Sequence, residues 1–199
     1  MKLYFAPGAC SRAVRIALHE AGLPFEGVQV DLQTHKLADG SDYYAINPKG
    51  YVPLLVLDDG QELTEASVVL QWIADQVPAS GLAPAAGTMP RYRLLEWLNF
   101  ATTEVHKQFS PLFNPAYPEE AKQIQREKIL QRMKWVDGEL AGWPYLTGDT
   151  LTIADIYLWV LCGWADFMNL DLSGLKNLSA WRERVGARPA VQKAVQEES

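Results

Sequence analysis

Between Pro78 and Pro90 the chain carries Pro78, Gly81, Pro84, Gly87 and Pro90, a spacing that interrupts any helix or paired strand. Such a stretch reads as a linker between two parts built on different rules. Before it, residues 2 to 6 and 25 to 31 read as strands. Between them lies a helix from about Ser11 to Ala21, closed by Gly22. A strand, a helix and a second strand in this order predict parallel strands. After a polar, Gly-containing segment from Gln33 to Asn47 come hairpin strands near 54 to 57 and 61 to 64, turned by Asp58-Asp59-Gly60. A helix from about Ala66 to Gln76 follows. Beyond the linker the periodicity is helical: about 90 to 110, 119 to 141, 152 to 168, 175 to 187 and a short last helix after Pro189.

The expected architecture is an N-terminal thioredoxin-like βαβ-ββα domain, α/β in class, over 1–77. A linker at 78–89 and an all-α domain over 90–199 complete it. A chain of 199 residues is long enough for this. Thr152-Ile153-Ala154-Asp155 has the spacing of a capping box, with Leu151 able to staple against Ile156, and reads as structural.

The hydrophobic share of 48% is dispersed, with no run near the roughly 18 residues of a membrane span. The N-terminus reaches Pro7-Gly8 at once, without the apolar segment of a secretory signal, so a cytoplasmic setting is expected. Cys10 and Cys162 lie far apart and read as free thiols. A net charge of −6 argues against nucleic-acid binding. His19, His35 and His106 do not occur with carboxylates or cysteines at metal-ligand spacing, and no metal site is expected.

Asn47-Pro48-Lys49-Gly50-Tyr51-Val52-Pro53 leads into the strand Leu54 to Leu57, and Thr64-Glu65-Ala66-Ser67 opens a helix. Proline at a strand start is tolerated because the ladder does not yet need its N–H. A cis Val52-Pro53 bond is plausible. It would turn the Val52 N–H and C=O outward to receive another extended peptide as a short strand. The free N–H groups of Ala66 and Ser67 at the helix start favour a carboxylate, and Glu65 can pair with an ammonium. Together these describe a small-peptide site.

This segment, with Pro7-Gly8-Ala9-Cys10-Ser11 upstream, resembles the glutathione-binding domain of cytosolic glutathione transferases, most closely the bacterial beta class. Val30-Asp31-Leu32, Glu96-Trp97-Leu98-Asn99, Glu104-Val105-His106-Lys107 and Leu151-Thr152-Ile153-Ala154-Asp155 extend the resemblance nearly end to end. It implies glutathione as co-substrate, a small hydrophobic electrophile as second substrate, and a homodimer. Val52, Pro53, Glu65, Ala66 and Ser67 would hold the peptide. Ala66 stands where many transferases have a serine, so backbone N–H groups would carry the carboxylate. His35 or Lys36 would replace the lysine that the beta class uses for the glycyl carboxylate.

Cys10 follows a Pro-Gly turn and directly precedes a helix, where unpaired N–H groups and the dipole lower a thiol pKa. The alternative is a small buried cysteine filling space. No second cysteine stands three residues on, so any disulfide chemistry must be monothiol, with glutathione as the other thiol. Asn99, Thr103 and His106 fall at i, i+4 and i+7, on one helix face. His106 can donate to a sulfur, as the resemblance also implies. Otherwise it is a structural histidine. Lys107 lies on another face and reads as solvated. Trp164, Phe167, Phe109, Phe113 and Tyr117 are candidate walls for an apolar electrophile, whereas Trp97, Trp135, Trp159 and Trp181 read as helix packing.

The resulting expectation is a transferase that favours the glutathione thiolate and places it beside an electrophilic carbon, with Cys10 and His106 as catalytic candidates. The alternatives are a glutathione-dependent disulfide reductase or peroxidase with Cys10 as nucleophile, and a non-catalytic binding protein on the same fold. Reductive dehalogenation by the same two-thiol logic has no positive sign in the sequence.

Overall fold

The computed structural model describes residues 1–199. In chain order the elements are β1 (Lys2–Phe5), α1 (Ser11–Ala21), β2 (Glu26–Asp31), β3 (Lys36–Leu37), β4 (Leu54–Val56), β5 (Glu62–Thr64) and α2 (Ala66–Gln76). The helical half follows with α3 (Met89–Phe100), a π-helical turn (Ala101–His106), α4 (Lys107–Phe113), α5 (Glu119–Glu139), α6 (Ile153–Phe167), α7 (Lys176–Gly186) and α8 (Pro189–Gln196).

The sheet order is β3-β2-β1-β4-β5. β1 is parallel to β2, with Leu3 opposite Gly27, and antiparallel to β4, with Leu3 opposite Leu55. Side chains alternate across this sheet. Leu3, Phe5 and Leu55 face α1 and α2, while Tyr4, Ala6, Val30, Val52 and Leu54 face the other way into a small second core. Tyr43 closes that reverse face. It is fully buried, lies 5.6 Å from the Tyr4 ring and donates its hydroxyl to the Tyr51 carbonyl at 2.9 Å. The segment Gln33 to Asn47, polar in sequence, thus supplies both an edge strand and a core side chain.

α1 buries Ala13, Val14, Ile16, Ala17 and Leu18 and stops at Gly22, where φ is 67°. The Gly22 N–H returns to the His19 carbonyl and the Leu23 N–H to that of Leu18, satisfying the last turn. Thr152 caps α6 through the expected capping box. The Asp155 carboxylate accepts from the Thr152 N–H and hydroxyl at 2.9 Å each, from the Leu146 N–H at 2.8 Å and from Trp181 Nε1 at 2.9 Å.

The single helix expected from about 90 to 110 is interrupted. Thr102 and Thr103 turn their hydroxyls back onto the Leu98 and Asn99 carbonyls, at 2.8 and 3.1 Å. Such bonds compete with the backbone ladder, and the chain widens into a π turn at that point. Trp181 is buried, and Trp135, though 46% exposed, packs from α5 onto Trp97 and Phe100 of α3. Leu3, Val14, Leu70, Leu94, Ile156 and Val191 belong to one core of 42 buried residues that runs through both halves.

Candidate functional site

Cys10 occupies the N-cap of α1, buried, with its thiol donating to the Val52 carbonyl at 3.4 Å. The loop that carries it is held from the helical half. The Gly8 N–H donates to Glu198 at 2.9 Å, and the Gly8 carbonyl accepts from Trp164 Nε1 at 2.8 Å. The expectation of a lowered thiol pKa is overturned. Burial pushes the Cys10 thiol up to about 12, more than the N–H groups of Cys10 and Ser11 and the Lys107 charge can offset, and the Glu65 carboxylate adds to the rise.

The Val52-Pro53 peptide is cis, and the Val52 N–H has no partner within the protein. The preceding turn is fixed by Tyr43 and Asn47, which both donate to the Tyr51 carbonyl. At the start of α2 the N–H groups of Ala66 and Ser67 are likewise without carbonyl partners, since the helix bonds begin with Val68 and Val69 onto Glu65. Glu65 stands at the N-cap, with φ 67° and ψ 111°. A non-glycine residue there is strained by about 1–3 kcal/mol, a cost that is concentrated at functional sites. Its carboxylate meets Lys49 Nζ at 3.1 Å across an exposed gap.

His106 lies partly buried, with Nδ1 2.6 Å from the Tyr157 hydroxyl and its ring edge-on to Trp164 at 4.7 Å. Burial, with a smaller push from Lys107, holds its pKa down at about 4, so the ring is uncharged at neutral pH. The charges of Glu65 and Lys107 act on both Cys10 and His106. Lys107 itself is exposed, as expected of a solvated side chain.

Against this geometry, residues 8–76 match the family model for the glutathione S-transferase N-terminal domain, and residues 62–184 the model for the C-terminal domain. The chain belongs to the glutathione S-transferase family. It is 43% identical over 198 residues to glutathione S-transferase GstA of Escherichia coli O157:H7, covering 100% of this chain and 98% of that one. Among solved structures, the ternary complex of BphK, a bacterial GST, is 54% identical with a TM-score of 0.97, over 100% of this chain and 99% of that one. A sphingomonad glutathione S-transferase complexed with glutathione is 46% identical with a TM-score of 0.96, over 100% and 98%. The fold is also that of a bacterial beta class enzyme from Sphingomonas chungbukensis. The protein is thus a glutathione transferase of bacterial beta-class type.

Within this transferase the structure brings Cys10, Val52, Glu65, Ala66, Ser67 and His106 around one region. Asn99 and Thr103 are exposed, and the Thr103 hydroxyl is spent on its own helix. The π turn puts His106 out of phase with them, towards α6. His35 has φ 54° and stacks on Tyr44 at 4.4 Å, with Nδ1 sealed and unpartnered under Gly50, where a Cβ would lie 3.1 Å from it. Lys36 is exposed on β3. Trp164 packs against Phe109 and Phe113, and Phe113 stacks on Phe167. Phe109 is core, whereas Phe113, Tyr117 and Phe167 are exposed, and Trp164 links Phe113 to His106. Tyr157 and Lys49 were missed as partners because both pairings join distant parts of the chain. A cavity of about 670 Å³ lies elsewhere, between Phe5, Arg15, His19, Phe25 and Lys193, and contains none of these residues.

Proposed function

We propose that glutathione lies extended along Val52, exchanging backbone hydrogen bonds with it beyond Pro53. Its γ-glutamyl carboxylate then meets the N–H groups of Ala66 and Ser67, and its ammonium meets Glu65. The observation that carries this reading is the run of unpaired backbone donors, Val52 then Ala66 and Ser67, ending at a strained glutamate. His35 or Lys36 serves the glycyl carboxylate, and Asn99 and Thr103 line the glutathione side of the helical half. The boundary between the two domains falls in residues 78–89. A small hydrophobic electrophile sits on the Phe113, Trp164 and Phe167 wall, and the physiological role is detoxification by a cytoplasmic homodimer.

In the reaction the glutathione thiol loses its proton to solvent. The thiolate then forms an S–C bond to the electrophile, and a leaving group such as chloride departs with the electrons of the broken bond. Cys10 stays a neutral thiol beside it, which avoids the repulsion that two thiolates would meet. The same burial disfavours Cys10 as the attacking group of a disulfide reductase.

The test is conjugation of glutathione to a chlorodinitrobenzene-type electrophile by wild type and Cys10→Ala side by side. Both are expected to turn over, within about tenfold of one another in kcat/KM. Loss of conjugation in Cys10→Ala, with the fold intact by circular dichroism, would sink the auxiliary role of Cys10.

A further inference from the structure

We infer that Tyr157 is a positioning residue that holds His106 in the tautomer bearing its hydrogen on Nε2, so that the imidazole offers the sulfur site a donor. What the donor serves rests on the proposed function. The tautomer itself does not.

The 2.6 Å contact between His106 Nδ1 and the Tyr157 hydroxyl admits two arrangements, according to which atom supplies the hydrogen. Tyr157 is 1% exposed, and a buried hydroxyl must place its hydrogen on an acceptor. The one partner within hydrogen-bond distance of this hydroxyl is His106 Nδ1. The nearby Thr102 hydroxyl is engaged with the Leu98 carbonyl at 2.8 Å. An imidazole lone pair at 2.6 Å is a basic acceptor well placed to take the phenolic hydrogen. Burial also pushes the Tyr157 phenol well above its ordinary range, so it remains a donor.

An uncharged ring carries one hydrogen, and with Nδ1 accepting, that hydrogen is on Nε2. Nε2 has no partner within the protein and is not sealed from solvent, which leaves its hydrogen available to a ligand. Trp164 edge-on at 4.7 Å and Tyr157 at Nδ1 fix the ring from two sides. The π turn is what brings His106 into this register with α6.

The experiment is a long-range proton–nitrogen spectrum of the uniformly nitrogen-15-labelled protein, free of substrate, at pH 7. Only His19, His35 and His106 contribute, and His106→Gln assigns the signal. A pyridine-like Nδ1 and a pyrrole-like Nε2 are expected in wild type, and the reverse pattern overturns the inference without any variant. In Tyr157→Phe the signal should become a mixture of tautomers, with kcat lowered about fivefold and the glutathione KM within about twofold. An unchanged tautomer in that variant overturns the positioning role. Because the spectrum is read without turnover, failure of conjugation and failure of the tautomer are separate results.

Discussion

Two helices, α1 and α2, point uncapped N-termini at the candidate glutathione site, yet the residues at their ends are in opposite states. Cys10 starts α1 in relaxed helical geometry, φ −60°, buried and neutral. Glu65 starts α2 at φ 67°, exposed, charged and strained. A helix terminus is worth about 0.3–1 kcal/mol to an anion, and up to about 2 in favourable sites. Raising a thiol from its ordinary value to about 12 corresponds to about 4 kcal/mol against the thiolate. Burial therefore decides at α1, while at α2 the solvent leaves the dipole free to act. Proximity to a helix start does not by itself make a reactive cysteine.

The largest test of this contrast is alkylation of Cys10. In the free enzyme at pH 8 it should react with iodoacetamide about a thousandfold more slowly than an exposed thiol. A rate near that of free cysteine would reverse the comparison. A second test reads the same burial through His106. The unfolded chain takes up a proton as pH falls through 6.5, while folded His106 does so only near 4, so its contribution is complete above 6.5 and lost on acidification. Urea unfolding should lose about 3 kcal/mol across that window, and His106→Gln should flatten the profile. The smallest effect is expected at α2. Glu65→Gly removes the strain and should stabilise the fold by about 1 kcal/mol, offset in part by glycine's freedom in the unfolded chain. It should also raise the glutathione KM about tenfold, which separates strain kept for binding from strain without use.

The sheet, the parallel β1 and β2 pair and the α1 and α2 starts were legible because strand alternation, Gly22 and the Val52-Pro53 turn are local signals. The break after Phe100 was not, because two threonines in a helical pattern do not announce which carbonyls they will take. Tyr43 was hidden in a polar segment, since its burial depends on a sheet face formed by distant strands. At the site, motif order marked Cys10, Val52 and Glu65. The state of Cys10 depends on how much protein closes over it, which its neighbours in sequence do not encode. Tyr157 sits inside an apolar helix, where its hydroxyl looked like one more core side chain until α6 met the π turn.

The thirteen residues from Pro78 to Pro90 have the composition of a hinge, but the core of 42 residues passes beneath them without a seam. Swinging one half away from the other would expose apolar surface from Leu3 on the sheet to Val191 on α8. The two halves should accordingly melt in a single transition. Substrate binding should likewise leave the two halves in one fixed relation to each other.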